Sequence, residues 1–119
     1  MNDRTKHRLR DIANAIDDIN TLLEGKSFSD VQSDRFLRAA LERFPEIISE
    51  ASRHIPDALT AEADRVPWPR IKAIGNHIRH AYDRVDAEVL WNTYAQGELL
   101  TLRNAVTTFI AKLEADGQK

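Results

Sequence analysis

The sequence predicts an all-α fold, an up-and-down helical bundle of about four to six helices. Three observations lead there: apolar residues recur at three- and four-residue steps in successive segments, no segment alternates with period two over a useful length, and glycine or proline punctuates the joints.

The first segment, Asp3 to Glu24, places Leu9, Ile12, Ile16, Ile19 and either Leu22 or Leu23 on one stripe, and Gly25 ends it. Lys26-Ser-Phe-Ser-Asp30 reads as a connection rich in helix-capping residues, with Phe28 packing back on the bundle. A second helix is expected from about Ser33 to His54, burying Leu37, Leu41, Phe44, Ile48, Ala51 and Ile55. Pro45 lies inside it, and because proline lacks the amide proton and crowds the carbonyl four residues back, a kink or a break is expected there.

Ile55 to Val66 reads as a loop with at most a short turn of helix. Pro67-Trp68-Pro69 closes it, biasing Val66 toward extended backbone and opening a third main helix from about Pro69 to Tyr82. Its stripe is narrow, with Ile71, Ile74, Ile78 and Tyr82. Asp86 then caps a short helix bearing Val89, Leu90 and Trp91 that stops near Gly97, and a last helix from Glu98 to Ala115 carries Leu99, Leu102, Val106, Phe109, Ile110 and Leu113.

A chain of 119 residues with 42% hydrophobic and 30% charged residues has the balance of one ordinary globular domain, spanning 1–119. The absence of cysteine excludes disulfides, thiolate metal sites and cysteine nucleophiles. The charged opening MNDRTKHRLRD has no apolar stretch behind it, so the expected location is the cytoplasm, with no membrane association. Net charge is −2, yet basic residues cluster. Arg4, Lys6, Arg8 and Arg10 face only Asp3 within residues 1–10; Arg70, Lys72, Arg79 and Arg84 face only Asp83 within residues 70–84. Such segregation fits either a solvated helix face or a local surface for phosphate.

The densest set of reactive side chains is Asn76-His-Ile-Arg-His-Ala-Tyr82. Asn76 and His80 are four residues apart, as are Gly75 and Arg79, so each pair projects from adjacent turns of nearly one helical face. The segment falls at a helix C-terminus, where carbonyl dipoles favour a protonated imidazole. His80 is thus suited to handling protons in phosphodiester cleavage, in which a ribose 2′-hydroxyl attacks the adjacent phosphate, and Arg79, Arg84 or Arg70 could supply a cation for the developing charge. His77 and His80, three apart and followed by Asp83, lack a carboxylate–histidine pair on another helix, so no metal site is expected. His7 and His54 sit in polar surroundings and read as surface residues. Trp68 and Trp91 read as core or dimer packing.

The run Val66-Pro-Trp-Pro-Arg-Ile, then Ile74-Gly-Asn-His-Ile-Arg-His-Ala-Tyr, then Val85-Asp-Ala-Glu-Val-Leu-Trp91, resembles the signature of the HepT-like family in the HEPN superfamily. Arg38-Ala-Ala-Leu-Glu-Arg and Ile47-Ile-Ser-Glu-Ala upstream are similar too. The family motif has the form R-x4-H-x-Y, usually with asparagine after the arginine; Asn76, His80 and Tyr82 match, and Gly75 stands where the arginine would be. Arg79 along the same face, or an arginine of a second protomer, are two candidate replacements.

The resemblance implies a HEPN-like bundle and the toxin of a toxin–antitoxin pair. It implies a metal-independent endoribonuclease without cofactor, built at a two-fold homodimer cleft, with His80, Asn76 and Arg79 as catalytic residues and Arg70, Arg84 and His77 holding RNA. It also implies a partner, a cognate minimal nucleotidyltransferase antitoxin that neutralises the toxin by transferring AMP to Tyr82 and could build a higher assembly with it. A second reading stays open beside it: with Gly75 in place of the arginine, a catalytically weakened protein that serves as binding partner and modification target of the nucleotidyltransferase.

Overall fold

Residue 9 and its partners at three- and four-residue spacing need a surface to bury against, and the fold supplies it by laying two long helices on the first. The computed structural model describes residues 2–73, 88, 91–92 and 97–117. Every regular element among them is a helix.

Helix α1 spans Asn2–Leu23 and buries Leu9, Ile12, Ile16, Ile19 and Leu23, with Ala13 and Ala15 beside them. It stops where Gly25 takes φ +74°, a left-handed conformation that costs glycine little, and where the Lys26 amide turns back to the Leu23 carbonyl at 2.9 Å.

The next segment departs from expectation. Residues Phe28–Ser33 form a separate short helix, α2, opened by a capping box: the Asp30 amide donates to Ser27 Oγ at 3.2 Å, and the Ser27 amide donates to the Asp30 carboxylate at 2.8 Å. Val31 is its buried anchor, and Phe28 meets the Trp91 ring at 6.1 Å. Asp34 then serves both sides. Its own amide closes α2 on the Asp30 carbonyl, while its carboxylate accepts from the Phe36 and Leu37 amides at 3.0 and 3.1 Å and so caps α3, Arg35–Ser52.

Helix α3 buries Leu37, Leu41, Pro45, Ile48 and Ala51 and runs uninterrupted through Pro45. The proline costs the Leu41 carbonyl its intrahelical donor, but its ring is itself part of the buried stripe. Phe44, expected in the buried stripe, is half-buried and packs against the core. Beyond α3 the connection contains one turn, α4 (Asp57–Thr60), which buries Leu59. Residues 68–73 are helical, as are 88 and 91–92. Gly97, at φ +76°, precedes the last helix, α5 (Glu98–Gly117), which buries Leu99, Leu102, Val106, Phe109 and Leu113.

α1 packs against both α3 and α5, and α2 packs on α3. The buried side chains of all these elements join in one apolar cluster that includes Ile55, Val66, Trp68 and Ile71. Polar pairs pin the rims: Arg103 of α5 forks onto Asp17 of α1 with two contacts of 3.2 Å, Arg10 meets Glu114 at 3.3 Å, and Lys112 meets Glu62 at 2.5 Å. No helix among the described residues is long and apolar enough to cross a membrane.

Candidate active site

The helical residues 68–73 lead in sequence directly into the motif, and they are held from three sides. Pro67 starts the run: the Ile71 amide donates to the Pro67 carbonyl at 3.0 Å, the first helical bond of the segment. Trp68 is buried. Its ring stacks on Phe109 of α5, with centroids 6.3 Å apart and planes 17° from parallel, and its indole N–H donates to the Ala63 carbonyl at 3.0 Å. Ile71 fills the core beside it at 1% exposure.

The polar side of the same turn is fastened to both long neighbours. Arg70 pairs with Glu98 at the start of α5, Nη1 to Oε1 2.7 Å. The Lys72 carbonyl accepts two side-chain donors, Ser49 Oγ of α3 at 2.6 Å and Nη2 of Arg53, the residue that follows α3, at 3.0 Å. Two lone pairs on one carbonyl oxygen make that double acceptance geometrically natural. Ser49 is buried, and a buried hydroxyl requires a partner; the Lys72 carbonyl is that partner.

Around Arg53 lies a small charged group. Glu50 receives His54 Nε2 at 3.1 Å and stands 3.9 Å from Arg53 Nη1. The hydrogen bond from His54 holds the Glu50 carboxyl below the ordinary carboxylate range, helped by the charges of His54, Arg53 and Arg8. His54 and His7 are both exposed, as the sequence suggested, each beside a carboxylate one helical turn away.

Of the residues singled out from the sequence, Arg70 is described and is engaged with Glu98. Asn76, His77, Arg79, His80, Tyr82 and Arg84, together with Gly75 and the His77–His80–Asp83 set, lie outside the described residues. Trp68 and Trp91 each pack on a phenylalanine, Phe109 and Phe28 respectively. No cluster of three or more histidine, aspartate or glutamate side chains poised for a metal occurs among the described residues. Sequence reasoning missed Ser49, Arg53 and Glu98. The first two had a signal: a serine on the apolar stripe of α3 with an arginine four residues on marks a polar contact across that face.

The family model described as ribonuclease HepT-like matches residues 12–109, which includes the whole of 66–91. A protein of Thermococcus cleftensis named as a probable ribonuclease HepT is 36% identical over 88 residues, covering 74% of this chain and 80% of that relative. Two candidate RNases of Methanocaldococcus jannaschii are similar as well. One is 29% identical over 83 residues, 70% of this chain and 76% of its own length; the other is 24% identical over 106 residues, 89% and 90% respectively. No solved structure matches the chain significantly. With α1 to α5 all helical and the family model covering most of their length, the chain belongs to the ribonuclease HepT-like family.

Proposed function

We propose that this chain is a HepT-like toxin, a metal-independent endoribonuclease of the cytoplasm that works as a homodimer and is neutralised by AMP transfer. The observation that carries the reading is the segment Asn76-His-Ile-Arg-His-Ala-Tyr82, which lies within the matched residues 12–109 and keeps the asparagine, histidine and tyrosine of the family motif in register.

In this reading His80 takes the proton of a ribose 2′-hydroxyl as that oxygen attacks the neighbouring phosphorus. The bond from phosphorus to the 5′-oxygen breaks, the 5′-oxygen leaves with a proton, and the products are a 2′,3′-cyclic phosphate and a 5′-hydroxyl. Asn76 orients the phosphate, Arg79 offsets its growing negative charge, and Arg70, Arg84 and His77 hold the flanking backbone. For Arg70 that task is added to its Glu98 contact, which a guanidinium with five N–H donors accommodates. A cognate minimal nucleotidyltransferase silences the site by joining the Tyr82 hydroxyl to the α-phosphorus of ATP, with loss of pyrophosphate.

Purified protein should cleave single-stranded RNA without added metal, and His80→Ala should abolish cleavage. Unchanged cleavage by His80→Ala removes the mechanism. Gly75 favours one second reading, a chain that has lost cleavage and remains a partner and AMP acceptor of the nucleotidyltransferase. Intact-mass measurement after incubation with that enzyme and ATP separates them: a single AMP added to Tyr82, absent in Tyr82→Phe, with no RNA cleaved by the unmodified protein, supports the second reading.

A further inference from the structure

The cations along the helix rims are of two kinds. Arg10, Arg103, Lys112 and Arg70 each reach a carboxylate from another part of the chain, and so join the bundle while giving up their charge to a partner. The first turns of α1 and the end of α3 carry the second kind. α1 packs on α3, and Glu50, in the last turn of α3, lies in the field of Arg8 from α1 as well as of His54 and Arg53. Arg4 precedes Arg8 by one helical turn and shares its face. Arg4 is exposed and has no ion pair among the described residues.

Arg53 is fixed without being neutralised. Its guanidinium donates to a neutral oxygen, the Lys72 carbonyl, at 3.0 Å, and stands 3.9 Å from Glu50, which His54 approaches more closely at 3.1 Å. With 42% of its side chain open to solvent, Arg53 keeps N–H donors for a further acceptor. The acidic residues in the first three turns of α1 are taken by other cations, Asp3 by Lys6 and Asp11 by His7, each at 3.7 Å. Three guanidinium groups therefore gather about one carboxylate that is already shared. Their mutual repulsion is a cost in the free protein, and a ligand with several linked negative charges relieves it.

We propose that Arg4, Arg8 and Arg53 form a surface, built from α1 and the end of α3, that holds the sugar–phosphate backbone of single-stranded RNA. The inference rests on the RNA-cleaving reading above for the identity of the polyanion, and membership of a ribonuclease family favours RNA over an acidic protein there. A chain of net charge −2 attracts no polyanion as a whole, so a strand has to be drawn by a local surface of this kind. Arginine suits it because the planar fork pairs two phosphate oxygens at once.

The test is binding of a labelled 2′-O-methyl RNA strand, which lacks the attacking hydroxyl and stays intact, to the full chain by fluorescence anisotropy across a salt series. Arg4→Gln/Arg8→Gln/Arg53→Gln should raise Kd by about 10-fold or more at low salt, and should flatten the plot of log Kd against log salt by about 2, since each phosphate contact on a single strand contributes about 0.7. Glu50→Gln removes the one negative charge in the group and should tighten binding by about two-fold or more. Arg35→Gln, at the opposite end of α3 and equally exposed, should shift Kd by less than about two-fold. Arg4→Gln/Arg8→Gln should melt no lower than the parent, because a repulsion is removed; a lower melting temperature beside lost binding makes these side chains structural and overturns the assignment. Triple-variant binding within about two-fold of the parent, an equal loss in Arg35→Gln, or no gain in Glu50→Gln overturns it as well. A parent that cleaves RNA while the triple variant binds as tightly as the parent leaves the ribonuclease reading standing and this surface without its role. A parent that binds through these arginines but cleaves nothing keeps the surface and removes the cleavage, and one that neither binds nor cleaves removes both.

Discussion

Truncating Trp68 tests whether the helical residues 68–73 are as firmly seated as their contacts imply. The side chain is 7% exposed, stacks on Phe109 and donates its indole proton to Ala63. Trp68→Ala removes all three contributions, and large aromatic truncations in a core cost about 3–5 kcal/mol. For a chain of 119 residues the unfolding entropy is roughly 0.25 kcal/mol/K, so each kcal/mol displaces Tm by about 4 °C and the full loss by about 12–20 °C. Trp68→Phe separates the parts. It keeps a six-membered ring against Phe109 but removes the N–H together with part of the indole, leaving the half-buried Ala63 carbonyl to find another donor and a small void beside it, at a cost of about 1–2 kcal/mol or about 4–8 °C. Thermal unfolding followed by far-UV circular dichroism reads both. A Trp68→Ala protein melting within a few degrees of the parent would refute the idea that this ring anchors the segment, and equal losses in the two variants would show that the indole's own N–H and outline, not a ring on Phe109 as such, are what hold it.

Two further outcomes follow from the helix rims and caps. The Asp17–Arg103 fork joins α1 to α5 at a partly exposed site, so a double-mutant cycle with Asp17→Asn and Arg103→Gln should give a coupling of about 0.5–1 kcal/mol that shrinks with added salt. Asp30 is held below its ordinary value of 3.8 by the Ser27 amide first and the Ser27 hydroxyl second. A carboxyl depressed on folding adds stability that is complete above its unfolded pKa and disappears as pH falls through the folded one. Acid titration should therefore show the parent losing its advantage over Asp30→Asn below about pH 4, and a stability difference that does not change with pH there would argue against the capping carboxylate.

The three long helices were legible because each repeats its apolar residues over several turns, long enough for the period to stand out, and because Gly25 and Gly97 take left-handed backbone beside helix ends. Helix α2 was not. Its six residues are too few to show a period, and its capping box uses Asp30 at the third position, where glutamate or glutamine is the usual sign. At Pro45 local chemistry argues for a kink or a break; the helix is not broken there, and the proline is buried in its apolar stripe. The motif was read as a linear pattern and needed no fold. Its seat did need one, because Ser49 and Arg53 reach Lys72 across 23 and 19 residues of sequence, and Glu98 reaches Arg70 from beyond the motif altogether.

The arrangement at Asp34 has a bearing on how this chain tolerates changes of length. One residue closes α2 and opens α3, so no spare backbone lies between them. An insertion there would part the Asp34 amide from the Asp30 carbonyl or its carboxylate from the Phe36 and Leu37 amides, so one of the two caps would be lost. The stretch around Gly25, by contrast, has exposed residues on both sides and could lengthen without rotating either neighbour. Drift in chain length should thus collect before α2 and be purged at the corner between α2 and α3, where one residue serves two helices.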